Sequence, residues 1–320
     1  MCAKKRRKKS ARAEPEPAAE EQKEDFSADP AEETTDETDV PEEEPDSIAT
    51  PETAEEDVKE PETPAPDPGE IPKRVVRCPV CGGSGEDHAK QEDIFVCKCE
   101  DCGLLFQNPR PSVGYLAGLR DRRFEGVMLK PHGREIREQS EIAREIMKGY
   151  HHRTSGRPAV LNAFGKHVFE VNCGLGIRLR EFQRYGWTID GIDTSRNAVE
   201  YAKGCSLDVE LLWLDTATFR VHTFDLILFW DNFGGLADPV HAVEMCAFIL
   251  KPEGLVYVHI PVVDKETFNE EILFYFDPDS LRRVFMQNGF TVSLENHDES
   301  GYFFWFRKKE RSVKNASEES

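Results

Sequence analysis

Two groups of residues in this chain have types and spacings suited to chemistry. The first is a set of thiols, Cys78-Pro79-Val80-Cys81-Gly82 and Cys99-Glu100-Asp101-Cys102-Gly103. A two-residue gap lets both thiolates of one turn face a single ion, and the glycine after each pair permits the tight backbone this requires. Four thiolates complete a closed tetrahedral shell. Cys78, Cys81, Cys99 and Cys102 are therefore expected to hold a structural Zn2+ with no open position for a reacting water. Reduced thiols without metal are the alternative. Cys97, in Cys97-Lys98-Cys99, either replaces Cys99 or stands by; its place in the repeat favours Cys99. Ile94–Val96 and Leu104–Phe106 supply short strands around the second turn.

The second group is Glu170-Val171-Asn172-Cys173-Gly174-Leu175-Gly176, followed by Asp193-Thr194 and then Asp215. A glycine-rich turn between a strand and a helix lets the backbone approach a ligand and aims helix N–H groups at it. An acid ending the next strand suits a ribose diol, and Asp215, ending the third, suits an adenine amino group. Each feature also has a plainer use, as a turn or as a helix cap. Their order on successive strand ends favours a nucleoside site. Dinucleotide binding would want a third glycine, which Asn172–Leu179 lacks.

The elements that position these residues follow from periodicity. Strands are expected at His167–Val171, Thr188–Ile192, Val209–Leu214, Phe224–Trp230 and Leu255–Ile260. Helices are expected at 134–150, Ile177–Tyr185, Ser195–Lys203, Val240–Leu250 and Pro278–Asn288. Apolar strands alternating with helices predict an α/β fold whose parallel sheet is covered on both faces. Phe290–Leu294 and Tyr302–Phe306 add a terminal antiparallel hairpin.

Charge divides the 320 residues unevenly. The net charge is −20, but residues 1–74 hold 11 Lys and Arg against 24 Asp and Glu, 11 of the 20 prolines and one aromatic, Phe26. Such a segment buries too little apolar surface to offset its ordering entropy, so 1–74 is expected to be disordered. Its basic start, Lys4–Lys9, is either a solvated end or a nucleic-acid or nuclear signal. The remaining part, at −7, argues against nonspecific nucleic-acid binding, although Arg120, Arg122 and Arg123 leave a local basic face open. No apolar run approaches the ~18 residues of a membrane span. Met1–Arg12 has no apolar stretch of a secretory signal, and five of nine cysteines fall within 78–102. Both point to a reducing, cytoplasmic setting. The expected organisation is a disordered lead at 1–74, a zinc ribbon at 75–110, a helical linker or lid at 111–150, an α/β domain at 151–310 and a disordered tail at 311–320.

Val168–Lys203, with the glycine loop and Gly191-Ile192-Asp193-Thr194-Ser195, resembles the class I S-adenosylmethionine-dependent methyltransferases, most closely their ubiquinone-biosynthesis-like group. Phe224–Leu228, Asp238-Pro239, Leu250–Gly254 and Leu273–Phe276 match later blocks in order. A Cys-Pro-x-Cys-Gly ribbon running into Asn108-Pro109-Arg110-Pro111 is also similar. The resemblance implies a Rossmann-like sheet and S-adenosylmethionine as cofactor. It also implies that Glu170, Asn172, Cys173, Gly174 and Gly176 form the cofactor loop, with Asp193 and Thr194 at the ribose and Asp215 at the adenine. Phe229 and Trp230 would then flank the donor methyl, with Asp231 and Tyr275 as candidate bases; His241 and His259 are weaker ones. The chain departs from the family pattern at Asn172, where a glycine is usual. It also has Gly234-Gly235 in place of Glu-His, and Ile272 in place of His. Three readings follow: a methyltransferase acting on a small molecule or sugar, one directed at RNA or protein, and a non-catalytic binding module of the same fold. The acceptor stays unidentified.

Overall fold

The computed structural model describes residues 73–74, 77–125, 133–156, 164–262 and 268–309. The expected disordered lead, apart from Lys73–Arg74, and the tail at 311–320 lie outside the described residues. In chain order the elements begin with β1 (Lys73–Arg74), β2 (Gly85–Gln91), β3 (Ile94–Cys99), β4 (Leu105–Gln107), β5 (Arg110–Pro111), α1 (Val113–Glu125) and α2 (Gly133–Ser155). There follow β6 (His167–Val171), α3 (Ile177–Arg184), β7 (Thr188–Asp193), α4 (Arg196–Gly204), β8 (Val209–Leu211) and β9 (Phe224–Trp230). A 3-10 turn at Phe233–Gly235 leads to α5 (Pro239–Ile249), β10 (Leu250–Pro261), β11 (Phe274–Tyr275), α6 (Pro278–Gln287), β12 (Phe290–His297) and β13 (Gly301–Lys308).

Seven strands form one sheet in the order β12-β13-β10-β9-β6-β7-β8. The five from β8 to β10 are parallel, and β13 lies antiparallel between β10 and β12. This is the expected α/β architecture of five parallel strands and a terminal hairpin. The third parallel strand is shorter than expected, because the chain leaves the sheet edge after Leu211 and turns Leu214 into the core.

Alternation explains the apolar runs. Phe169, Val171, Ile227 and Phe229 enter one core with α5 and α6, whereas Val168, Leu226 and Leu228 enter a second with α2, α3 and α4. A sheet buried on both faces needs apolar side chains at nearly every position. Side-chain caps start the helices that cover it: the Asp238 carboxylate accepts from Val240 N and His241 N, and Asp277 forms a capping box with Ser280.

A second sheet has the order β11-β4-β3-β2. Its β2 (GEDHAKQ) carries no apolar pattern and escaped prediction; pairing with β3 holds it in place. Its β11 comes from far along the chain and pairs with β4, Phe274 opposite Phe106. Cys78, Cys99, Leu104 and Phe106 lie in the same core as α5 and α6, so the ribbon shares the interior of the α/β part. No helix among the described residues is long and apolar enough to cross a membrane.

Candidate active site

From β6 the sheet grows one way to β7 and β8 and then the other way to β9 and β10, and this reversal opens a crevice at the strands' carboxyl ends. The β6–α3 turn sits there. Asn172, Gly174 and Gly176 adopt φ of +49°, +57° and +68°. Asn tolerates that region better than most side chains, so the departure at Asn172 leaves the turn intact. Gly176 is also required sterically, since a Cβ would lie 2.6 Å from Leu207 Cδ1. Gly174 N donates to Asp193 Oδ2 at 2.7 Å, and Asn232 Nδ2 donates to Val171 O at 2.5 Å and to Asn172 O at 3.3 Å.

Glu170 is fully buried beneath this turn. Its Oε1 accepts from Arg178 Nε at 2.6 Å, and Arg178 also bonds Gln139 of α2. Burial pushes the Glu170 carboxyl up, and the Arg178 guanidinium opposes that shift. Arg178 lies 5.7 Å over the Trp230 ring. Two buried acceptors here have no hydrogen-bond partner, Glu170 Oε2 and Asn232 Oδ1.

Asp193, ending β7, is buried, which raises its carboxyl; the Ser195 and Gly174 N–H groups and Arg120 pull the other way. Helix α1 lies across this end. Arg120 donates to Thr194 Oγ1 and to Gly235 O, each at 2.7 Å, and Asp121 Oδ1 accepts from Ser195 Oγ at 2.8 Å. Asp215 is exposed and lines a small pocket with Trp213, Leu214 and Ala237.

A cavity of about 930 Å3 runs from this end past the glycine turn to the ribbon. Of the expected site residues, Asn172, Cys173, Gly174, Asp193, Trp230 and Asp231 line it. Gln91 and Ile94 of the ribbon and Phe268–Ile272 form its far wall. Phe229 does not reach it; its ring is in the α5–α6 core, 5.2 Å from Phe233. Tyr275 is buried in β11, and its hydroxyl lies 3.3 Å from both N and O of Asn269. The Gly234-Gly235 departure has a packing cause. A Cβ on Gly234 would run into the Phe274 carbonyl, and one on Gly235 would lie 2.8 Å from Glu271 O. The chain at 271–274 takes the space that larger residues would need.

Residues 139–295 match the family model described as a methyltransferase domain. They are a class I methyltransferase domain. Ubiquinone biosynthesis O-methyltransferases are similar to part of it. That of Vibrio cholerae is 29% identical over 101 residues, 29% of this chain and 41% of its own. That of Thiobacillus denitrificans is 34% identical over 100 residues, 29% and 43%. The chain thus spans less than half the length of these curated relatives. Among solved structures, a Pyrococcus horikoshii protein is similar at 15% identity and TM-score 0.47, covering 59% of this chain and 99% of its own. A SAM dependent methyltransferase from Aquifex aeolicus is similar at 15% identity and TM-score 0.44, covering 59% and 97%.

The domain's donor end suits S-adenosylmethionine on two observations. The orphaned Glu170 Oε2 and Asn232 Oδ1 lack donors, which an ammonium group supplies, and the partly exposed Arg178 offers a guanidinium at the cavity wall for a carboxylate. The ribbon thiols suit zinc. The Sγ atoms of Cys78, Cys81, Cys99 and Cys102 all lie within 4.8 Å of one another, with Cys78–Cys102 at 3.5 Å and Cys81–Cys99 at 3.4 Å. A tetrahedral shell with Zn–S near 2.3 Å has edges of about 3.8 Å. Burial raises the Cys102 thiol to about 11 and Cys78 further still, whereas at Cys99 burial is outweighed by hydrogen bonds from the Cys102 backbone and Cys81, which lower it; a cation would hold the two raised thiols as thiolates. Cys97 Sγ lies outside the cluster, 3.9 Å from Asp87 Oδ1 and from Asn108 O.

Sequence reasoning missed Arg178, Asn232 and the burial of Arg120, and gave His259 little weight. His259 Nδ1 lies 2.6 Å from Asp231 Oδ1. The one available signal was its polarity within the apolar run Leu255–Ile260.

Proposed function

We propose that the protein transfers the methyl of S-adenosylmethionine to a small-molecule acceptor. The observation that carries this reading is the cavity itself, which joins the glycine turn to a wall supplied by the ribbon. Its volume lies at the upper end of the ~300–1,000 Å3 typical of ligand sites, enough for a nucleoside and a compact acceptor. S-adenosylmethionine supplies an activated methyl on a sulfonium. Glu170 and Asn232 would receive its ammonium, Arg178 its carboxylate, Asp193 its ribose hydroxyls, and Asp215 with Leu214 its adenine. Trp230 stands beside the donor end. The chain's own contribution is to position the partners and exclude water. Asp231 is the half-exposed carboxylate on the cavity wall; Tyr275, bonded to Asn269, is assigned to holding the 268–272 loop. We assign zinc to the four ribbon thiols, where it has a structural role. The clustered free cysteines support a cytoplasmic setting.

Calorimetric titration with S-adenosylmethionine and S-adenosylhomocysteine tests the reading. Binding is expected, and none at about 1 mM, a free energy near −4 kcal/mol, would refute it. Tritiated donor with fractionated cell extract then assigns the acceptor class. Label is expected in the low-molecular-weight fraction. Label in RNA or protein would favour a macromolecular acceptor, and product binding without transfer would favour a non-catalytic module.

A further inference from the structure

We propose that Asp231 is the base that takes the proton of a hydroxyl acceptor, and that His259 is the residue that positions it. The proposal rests on the methyl-transfer reading above. Asp231 directly follows β9 at the sheet's carboxyl edge and lines the cavity between Trp230 and Asn232. Its side chain is 46% exposed, whereas that of His259 in β10 is 1% exposed. The 2.6 Å contact joins His259 Nδ1 to Asp231 Oδ1. An ionised carboxylate only accepts hydrogen bonds, so the ring carries a hydrogen on Nδ1. The ring is clamped by Trp230, stacked at 4.2 Å, and by Phe303 at 4.6 Å. Its Nε2 faces Ser300 Oγ at 3.3 Å, and that hydroxyl lies 2.7 Å from Asp298 Oδ1.

The backbone supports the same assignment. Asp231 N donates to His259 O at 3.2 Å, and Asp231 has φ of +55°, a region few L side chains adopt. The acceptor's class follows from its neighbours. The acidic side chains on the cavity wall, Glu92, Glu135, Glu270 and Glu271 beside Asp193 and Asp231, outnumber its arginines, Arg120, Arg123 and Arg178, which disfavours an acceptor that arrives as an anion, so its proton is removed within the site. In the step, an oxygen lone pair forms the O–CH3 bond and the C–S pair returns to sulfur as a thioether. The O–H pair stays on oxygen while the proton passes to Asp231 and from its exposed side to water. His259 holds the carboxylate in one orientation throughout.

Nitrogen-15 NMR of histidine-labelled full-length protein reads the pair without any acceptor. The His259 signal, identified by its loss in His259→Asn, should show the Nδ1–H tautomer and should move in Asp231→Asn. Transfer is read with tritiated S-adenosylmethionine and the low-molecular-weight fraction of cell extract. Asp231→Asn should lower turnover by about 10²–10⁴-fold, with S-adenosylhomocysteine affinity within about threefold of wild type. His259→Asn, which keeps a donor near the Nδ1 position, should retain far more turnover than His259→Leu. An Nε2–H tautomer blind to Asp231→Asn would overturn the pairing, and wild-type transfer by Asp231→Asn would overturn the base; either result leaves the methyl-transfer reading standing. A wild type that binds no S-adenosylhomocysteine, or binds it and methylates nothing, would remove the reaction and the base together.

Discussion

Gly235→Ala tests whether the segment 271–274 has displaced larger side chains from the donor end. The added methyl would sit 2.8 Å from Glu271 O and 2.9 Å from Arg120 Nη2, where ordinary contact needs about 3.5 Å or more. Overpacking of this kind costs about 1–3 kcal/mol. If Arg120 yields, its bond to Gly235 O is lost, and a hydrogen bond from a charged donor contributes about 1.5–3 kcal/mol. The smaller unfolded-state entropy of alanine offsets about 0.4–1 kcal/mol. The net expectation is a loss of about 2–4 kcal/mol, which for a folded part of this size lowers Tm by roughly 4–16 °C. Scanning calorimetry of the full chain measures it. Gly114→Ala is the control, because a Cβ at this exposed position of helix α1 meets nothing within 4 Å; alanine should leave Tm unchanged or slightly raised. A Gly235→Ala protein melting within about 2 °C of wild type, or less than ~1 kcal/mol by the same conversion, would refute the steric account.

Arg178→Met strands the buried Glu170 carboxylate and should cost about 3–5 kcal/mol by denaturant unfolding, much of it recovered in Glu170→Gln/Arg178→Met; strictly additive losses would contradict a tight pair. Asp225 accepts from Lys166, Lys251 and His167 N at 2.8, 2.5 and 3.0 Å. Burial alone would raise its carboxyl, but these donors outweigh it and hold it below the ordinary value. A depressed carboxyl stabilises the fold above its unfolded value and loses that contribution as pH falls through the folded one. Asp225→Asn should therefore cost about 2 kcal/mol at neutral pH and converge with wild type in acid below the ordinary carboxylate range; a pH-independent difference would contradict this. Cys78→Ser should lose its zinc by elemental analysis and expose the amides of 268–276 to hydrogen exchange, while β6 and β7 stay protected. Full metal content would refute the ribbon assignment.

What the sequence made legible was chemistry tied to local spacing. The paired Cys-x-x-Cys turns, the glycine loop and Asp193 each depend on residues a few positions apart or on successive strand ends, and periodicity alone bounded β6 and β9. What stayed hidden depends on partners distant in sequence. His259 reads as one polar residue in an apolar strand, because Asp231 lies 28 positions away. Arg120 reads as part of an exposed basic cluster with Arg122 and Arg123, yet it alone turns inward, onto Thr194 and Gly235. Strand β2 has no apolar alternation, and β11 is two residues long. Each is held by its neighbours' backbone and leaves no pattern of its own.

The ribbon's attachment connects these hidden features. Gln107, at the end of β4, donates through Nε2 to Asn269 O and to Ile272 O, both at 2.7 Å, and its backbone N–H meets Leu273 O at 2.8 Å. Leu273 N in turn donates to Gly234 O at 2.8 Å. The far wall of the cavity therefore hangs between the ribbon on one side and the Phe233–Gly235 turn on the other. That turn has no room for side chains because the wall has taken their place. The glycines at 234 and 235, the isoleucine at 272 and the cysteine turns thus belong to one arrangement. Removing bulk after β9 admits a loop carried by the ribbon, and that loop brings Glu270 and Ile272 to the cavity. A metal held by the four thiols would thereby shape the acceptor end while taking no part in the proposed transfer.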